Sequence, residues 1–171
     1  MVRALPVRSL RHHVREYVGW HEFAANPIHR RELPTEIIPV IINFGGPIRI
    51  FNTTDPHGWT DHGSFCTGAY DTHVIVRSAG ATGGLQINFT ILGARLFFGR
   101  PLKELTNLAV PLDDLMGPAA RSFGDRLRRL RDHQLRYQSI GHASLKLRKP
   151  QQIQRMPGSV GVRPRGRAHS A

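Results

Sequence analysis

Three histidines and three aspartates lie close together in the sequence, and both residue types bind metal ions. They are Asp55, His57, Asp61, His62, Asp71 and His73. Two histidines one residue apart on a strand would aim two imidazoles at one point, because alternate residues share a face. No two histidines here have that spacing, and His57 and His62 fall in a stretch rich in Gly and Pro. The pattern favours solvated loop histidines, so we assign no metal ligand and no cofactor.

No pattern of a catalytic nucleophile is present either. Cys66 has His62 four residues before it and His73 seven after it, and this spacing does not hold a base against a thiolate. A small buried residue in a strand is the favoured role for Cys66. The chain has no Gly-x-Ser-x-Gly motif and no phosphate-binding loop, and the glycine-rich residues 80–84 predict a hairpin turn. We therefore predict a protein that is not an enzyme.

Short apolar segments separated by turn residues predict mostly β structure. We expect strands near residues 14–20, 36–43, 48–52, 64–70, 73–78 and 84–91. Residues 36–43 are apolar on both faces, which predicts a buried strand, although Pro39 argues for a bulge or an edge there. Residues 45–47 predict a hairpin turn leading into the next strand, and residues 53–63 predict a surface loop.

Alternation in residues 84–91 divides this strand into two faces. One face carries the apolar residues Leu85, Ile87 and Phe89. If that face packs beneath helices, the opposite face points into the interior and contributes polar groups to a small-ligand pocket. The five candidate ligand-binding residues are Trp20, Arg49, Tyr70, Gln86 and Asn88. The alternative is that Arg49 faces solvent and the aromatic residues are ordinary core.

The end of the globular part predicts helices. Thr90 is suited to cap a short helix that ends at Gly99, and Pro101 suits the first turn of another through Leu105. An amphipathic helix is predicted over residues 118–132, with its apolar face at Ala120, Phe123, Leu127 and Leu130. Strands followed by helices predict an α+β fold class for a single domain over residues 1–132.

The charge of the chain is concentrated at its C-terminal end. The formal net charge is +12, and residues 131–171 hold nine Lys and Arg but one acid, Asp132. Residues 133–171 therefore predict a disordered basic tail, which would bind nucleic acid non-specifically through phosphates. A single cysteine favours a reducing compartment, and the apolar run 37–42 is too short to span a bilayer. We expect a cytoplasmic protein without membrane association.

Several short segments occur in a fixed order between about residues 10 and 130. They are 30–34 (RRELP), 41–45 (IINFG), 84–90 (GLQINFT), 92–95 (LGAR), 98–99 (FG), Pro101, 104–105 (EL) and 111–114 (PLDD). This series resembles the N-terminal domain of AraC-type transcriptional regulators. The resemblance implies a small cupin-like antiparallel β-barrel followed by short helices. It also implies a ligand-sensing or dimerisation role, with an unknown small-molecule effector and a homodimer as one arrangement.

Two features depart from that family. Ile91 stands where the family has proline at the start of the short helix, and residues 134–171 contain no acid and no apolar periodicity. The family continues there into a linker and a DNA-binding pair of helix-turn-helix motifs, so we hypothesise a truncated or frameshifted gene end. No sequence-specific DNA binding is expected from this chain. The alternative function is a metal-dependent cupin-type enzyme that uses His57, His62 and His73.

Overall fold

The computed structural model describes residues 1–52, 58–78 and 80–129, with side chains through residue 125. Its strands are β1 (Val2–Ala4), β2 (Val14–Phe23), β3 (Ile28–Glu32), β4 (Ile37–Asn43), β5 (Ile48–Asn52), β6 (Trp59–His62), β7 (Phe65–Thr67), β8 (Val74–Ser78), β9 (Ala81–Thr90) and β10 (Ala109–Pro111). The α-helices are α1 (Ile91–Phe98), α2 (Leu112–Met116) and α3 (Pro118–Arg129), and 3₁₀ turns lie at Arg8–Leu10 and Leu102–Leu105. His57 and the segment 130–171, which includes the predicted tail, lie outside the described residues.

The strands form two antiparallel sheets that face each other. The six-stranded sheet has the order β1-β2-β9-β4-β7-β10, and the four-stranded sheet has the order β3-β8-β5-β6. Residues Ile41 and Phe65 of the first sheet pack against Ile48, Ile50 and Val74 of the second. The fold is therefore of the α+β type, as predicted. The expected closed barrel is not found, because no strand pair among the described residues joins the two sheets.

Strand β9 lies at the centre of the six-stranded sheet, between β2 and β4. Its apolar face is the predicted one, since Leu85, Ile87 and Phe89 are buried in a cluster with Ala94 and Phe98 of α1. The neighbouring β4 is buried on both faces, as its composition predicts. Pro39 pairs with Asn88 of β9, whereas the ladder between β4 and β7 covers only Val40 and Ile41. The chain at Pro39 therefore has a strand on one side only, which is the edge position that a proline tolerates.

The two predicted hairpins are wrong. Residues 45–47 connect β4 of the six-stranded sheet to β5 of the four-stranded sheet, so the chain crosses between sheets. The Asn43 side chain holds this turn, because its Nδ2 donates to the Gly46 carbonyl (2.8 Å) and its Oδ1 accepts from the Gly45 amide (3.0 Å). The segment that begins at Gly80 also crosses, and Gly83 and Gly84 belong to β9 rather than to a turn. Turn chemistry predicts a reversal but not which sheet the chain enters next.

Two strands fall where the sequence predicts connections. Strand β6 lies within the predicted loop 53–63, and it forms because Ile48 to Phe51 of β5 offer it a complete pairing edge. Strand β3, a polar segment, pairs with β8 from Ile28 to Glu32. Both strands border the four-stranded sheet. An edge strand with a solvated face needs little apolar sequence, which explains why periodicity did not reveal them.

The helical predictions are confirmed over the described residues. The Thr90 hydroxyl accepts from the Gly93 amide at 3.0 Å, and the helix α1 ends at Gly99 in the left-handed conformation (φ 65°). Ile91 therefore opens the helix without a proline, because the Thr90 cap supplies the start signal. Helix α3 begins at Pro118, and Ala120 is buried as predicted. None of the described helices is both long enough and apolar enough to cross a bilayer.

Candidate ligand cavity between the two sheets

A cavity of about 400 Å³ lies between the facing sheets. Alternation explains its lining, because the residues that point into it from β2, β4 and β9 on one side, and from β3, β5 and β8 on the other, are spaced by two or four positions along each strand. The volume lies within the range of about 300–1,000 Å³ that is usual for small-molecule sites. Geometry alone therefore makes this cavity the candidate functional site.

The walls of the cavity are mainly branched aliphatic side chains. Ile41 contributes from β4, Ile48 and Ile50 from β5, and Val74 and Val76 from β8. All but Val76 are buried by their neighbours. Such walls give a ligand no hydrogen bonds, so they favour a molecule whose body is apolar.

Two predicted site residues supply aromatic surface. Trp20 and Tyr70 both line the cavity, as the prediction requires. The Trp20 indole lies directly over Gly84, where a Cβ atom would be 2.5 Å from Cη2 and 2.6 Å from Cζ2. Glycine at position 84 thus leaves the space that the indole ring occupies. This close approach explains why a glycine sits in the middle of a central strand.

One end of the cavity is polar. Glu22 of β2 and Arg30 of β3 form an ion pair across the two sheets, and both side chains line the cavity. The Ser78 hydroxyl approaches the second oxygen of Glu22 at 3.5 Å, and Thr82 lies opposite Glu22 in the strand register. Glu22 and Arg30 are not among the predicted site residues. The signal was available, since Glu22 lies two residues after Trp20 on the same strand face.

Gln86 and Asn88 belong to one series of hydrogen-bonded side chains, but only Gln86 lines the cavity. Gln86 donates from Nε2 to Oδ1 of Asn88 at 2.7 Å. Asn88 is buried outside the lining and donates from Nδ2 to Glu16 at 3.1 Å. Arg3 in turn binds both oxygens of Glu16 at 2.8 Å. Asn88 therefore positions Gln86, and sequence reasoning could not foresee its partner because Glu16 is remote in the chain.

Arg49 lies on the outer side of the four-stranded sheet and does not line the cavity. Its Nε donates to Oδ1 of Asp61 at 2.5 Å, and both side chains are about half exposed. The hydrogen bond to Arg49 lowers the pKa of the Asp61 carboxyl and raises that of the guanidinium. Arg49 therefore faces solvent, which is the alternative that the sequence left open, because it is one residue away from the inward-pointing Ile48 and Ile50.

The histidines that the alternative metal-dependent enzyme would use as ligands do not come together in the described part of the chain. His62 shares a hydrogen bond of 2.8 Å with the Thr60 hydroxyl and packs on the Phe65 ring, and burial lowers the pKa of His62. His73 is half-buried at the start of β8. Among the described residues, no group of three His, Cys, Asp or Glu is placed to hold a metal ion.

Cys66 is fully buried in β7, where the sequence predicts a small buried residue in a strand. Burial raises the pKa of its thiol to about 12. A thiol with so high a pKa carries almost no thiolate near neutral pH, and the thiolate is the nucleophile. Cys66 therefore contributes packing to the core cluster on the helical side of the six-stranded sheet rather than reactivity.

Comparison with protein-family models, curated proteins and solved structures finds no match to this chain. The fold and the cavity define it as an α+β domain in which a cavity lies between two facing antiparallel sheets, with a helical layer on the far side of the larger sheet.

Proposed function

We propose that this domain binds a small molecule between its sheets, without catalysis, and that it is the ligand-sensing domain of an AraC-type transcriptional regulator. The observation that carries the proposal is the cavity of about 400 Å³ with aliphatic walls, two aromatic residues and a few fixed polar groups. We also propose that the domain is cupin-like. A small β-barrel whose two sheets are not joined by strand pairing would have this same arrangement of two facing antiparallel sheets.

The ligand is a largely apolar molecule with a polar group at one end. Its body lies between Ile41 and Ile50 and against Trp20, and its polar group faces the ion pair of Glu22 and Arg30. Apolar burial supplies the affinity, and the few polar groups fix the orientation.

Ligand binding would be transmitted to the helices through β9. This strand presents Gln86 to the cavity and Leu85 and Ile87 to the helical layer, and it runs directly into α1 at Thr90. A shift of β9 on ligand binding therefore moves the N-terminus of α1. In a regulator, this coupling would carry the signal to a DNA-binding domain or to a second subunit.

The neutral fluorescent probe N-phenyl-1-naphthylamine tests the cavity, because its emission rises when it enters an apolar site. We expect saturable binding to the wild-type chain. Val76→Trp fills the cavity and should abolish binding. Ile75→Trp is the matched control, because the adjacent residue of β8 points away from the cavity and is not among its lining residues. Equal binding by both variants would place the probe elsewhere and contradict the proposal.

The metal-dependent enzyme is separated from this proposal by metal analysis of the purified chain. About one equivalent of iron, zinc or manganese would support the enzyme, and loss of that metal in a His62→Ala, His73→Ala double variant would assign its ligands. The proposed sensor binds N-phenyl-1-naphthylamine equally well before and after treatment with a chelator.

A further inference from the structure

The side of the four-stranded sheet that faces away from the cavity carries an unusual set of side chains. Because successive residues of a strand alternate, this outer face consists of His29, Arg31, Arg49, Phe51, Trp59, Asp61, Ile75 and Arg77. We call it the outer face. It combines basic and aromatic residues on a regular sheet.

The strand register arranges the outer face in two rows. One row runs His29, Arg77, Arg49 and Asp61, and the next row runs Arg31, Ile75, Phe51 and Trp59. His29 of β3 and Trp59 of β6 lie on the two edge strands, yet their ring centroids are 6.1 Å apart, so side chains of this face reach across it. Arg31 of β3 and Arg77 of β8 are thus adjacent to one edge, Phe51 of β5 and Trp59 of β6 to the other, and Arg49 of β5 is paired with Asp61.

The aromatic end presents a partly exposed indole ring to solvent. Trp59 is 39% exposed, although a large aromatic residue is usually well buried. Its ring centroid is 5.4 Å from that of Phe51, and the His29 ring meets it edge-on at 6.1 Å. Contacts with Phe51 and His29 hold the indole in place, so the exposed part of the ring is a preformed stacking surface.

The basic end has positive charge that the described residues do not neutralise. The acid of the outer face, Asp61, is already paired with Arg49. Arg31 is exposed and Arg77 is half-buried, and neither forms an ion pair with a described residue. The face therefore has an excess of positive charge beside an exposed indole.

We propose that the outer face binds single-stranded nucleic acid, with a base stacked on Trp59 and phosphates bound by Arg31 and Arg77. Single-strand binders combine a basic surface with aromatic side chains on which bases stack. A duplex is a poorer ligand, because its bases are already stacked on one another and cannot cover the indole. The site is separate from the cavity, so the proposal does not depend on the proposed sensor function.

The experiment uses the full chain with Trp20→Phe, so that Trp59 is the remaining one of the two tryptophans. The probes are oligo(dT) and oligo(U) of about eight nucleotides, within the range of about 4–16 that one such domain covers. Inorganic polyphosphate and polyglutamate serve as anions without bases. We expect saturable quenching of Trp59 by one or both oligonucleotides and by neither base-free anion. The oligonucleotide that binds more tightly shows whether the natural ligand is single-stranded DNA or RNA.

Paired charge variants separate this face from general attraction to a basic chain. Arg31→Gln with Arg77→Gln should weaken binding by about tenfold or more. It should also reduce the slope of log affinity against log salt by about 1.4, since each phosphate contact contributes about 0.7. Arg15→Gln with Arg95→Gln removes the same charge from exposed positions on β2 and α1, and we expect it to leave both quantities unchanged.

Three results would overturn the proposal. The first is oligonucleotide binding without a change in Trp59 emission, which would assign binding to the basic residues 131–171. The second is equal weakening by the two pairs of arginine variants. The third is equal quenching by polyglutamate, which would indicate an acidic protein as the partner.

Discussion

Substituting Gly84 by alanine tests the packing on which the cavity wall depends. Alanine in place of glycine inside a strand ordinarily stabilises a protein by about 0.5–1 kcal/mol, because glycine loses more freedom on folding. Here the added Cβ would lie 2.6 Å from the Ile42 carbonyl oxygen and 2.5 Å from the Trp20 ring. Relief requires movements of roughly half to one ångström in a central strand, and overpacking of this kind costs about 1–3 kcal/mol. We therefore expect a net loss of about 1–2 kcal/mol.

Equilibrium unfolding in urea measures this loss, and the emission of Trp20 in a Trp59→Phe background reports the displaced ring. Gly63→Ala is the control, since a Cβ there meets nothing within 4 Å. A smaller side chain at position 20 should recover part of the loss, so Gly84→Ala should cost less in a Trp20→Leu background than alone. If Gly84→Ala were as stable as the wild type and left the Trp20 emission unchanged, the assignment of Trp20 to this position would be refuted.

Three further outcomes follow from single residues. Thr90→Ala should lower the unfolding free energy by about 1 kcal/mol because the Gly93 amide loses its cap, and Thr90→Ser should not; equal stability of the two variants would contradict the cap. Burial raises the pKa of Tyr17 to about 12, against about 10 in an unfolded chain. Its contribution is therefore complete below pH 10 and is lost as pH rises towards 12, so stability over that range should fall more steeply in the wild type than in Tyr17→Phe. Cys66, fully buried and with its pKa raised to about 12, should react with a disulfide reagent at pH 8 only when urea unfolds the chain, and prompt reaction of the folded protein would contradict this burial.

The buried parts of the fold were predictable because their sequence signals are strictly local. Leu85, Ile87 and Phe89 alternate with polar residues, and this alternation alone predicts their buried face. The short helix between Thr90 and Gly99 follows from cap chemistry at both ends, which acts within one turn.

The predictions that failed depend on contacts between distant segments. A glycine-rich turn such as residues 45–47 reverses the chain in either a hairpin or a crossover, and the choice depends on which strands already flank β4. Whether Arg49 faces the cavity or the outside depends on a single residue of strand register, because successive residues of β5 point to opposite faces of the sheet. Asn88 lies on the same face of β9 as Gln86. Its side chain is held outside the cavity lining by a hydrogen bond to Glu16, which comes from another strand.

The crossovers also set the order in which this domain can assemble. Strand β2 has its main partner in β9, with Val14 opposite Phe89, and β4 waits for the same strand. A nascent chain that ends before β9 leaves one edge of β2 and one edge of β4 unpaired, and their other partners, β1 and β7, contribute only three and two residue pairs. Such long-range pairing makes folding slow and favours aggregation of incomplete chains. Nascent chains released before β9 are therefore expected to be captured by chaperones, whereas those that include it can fold.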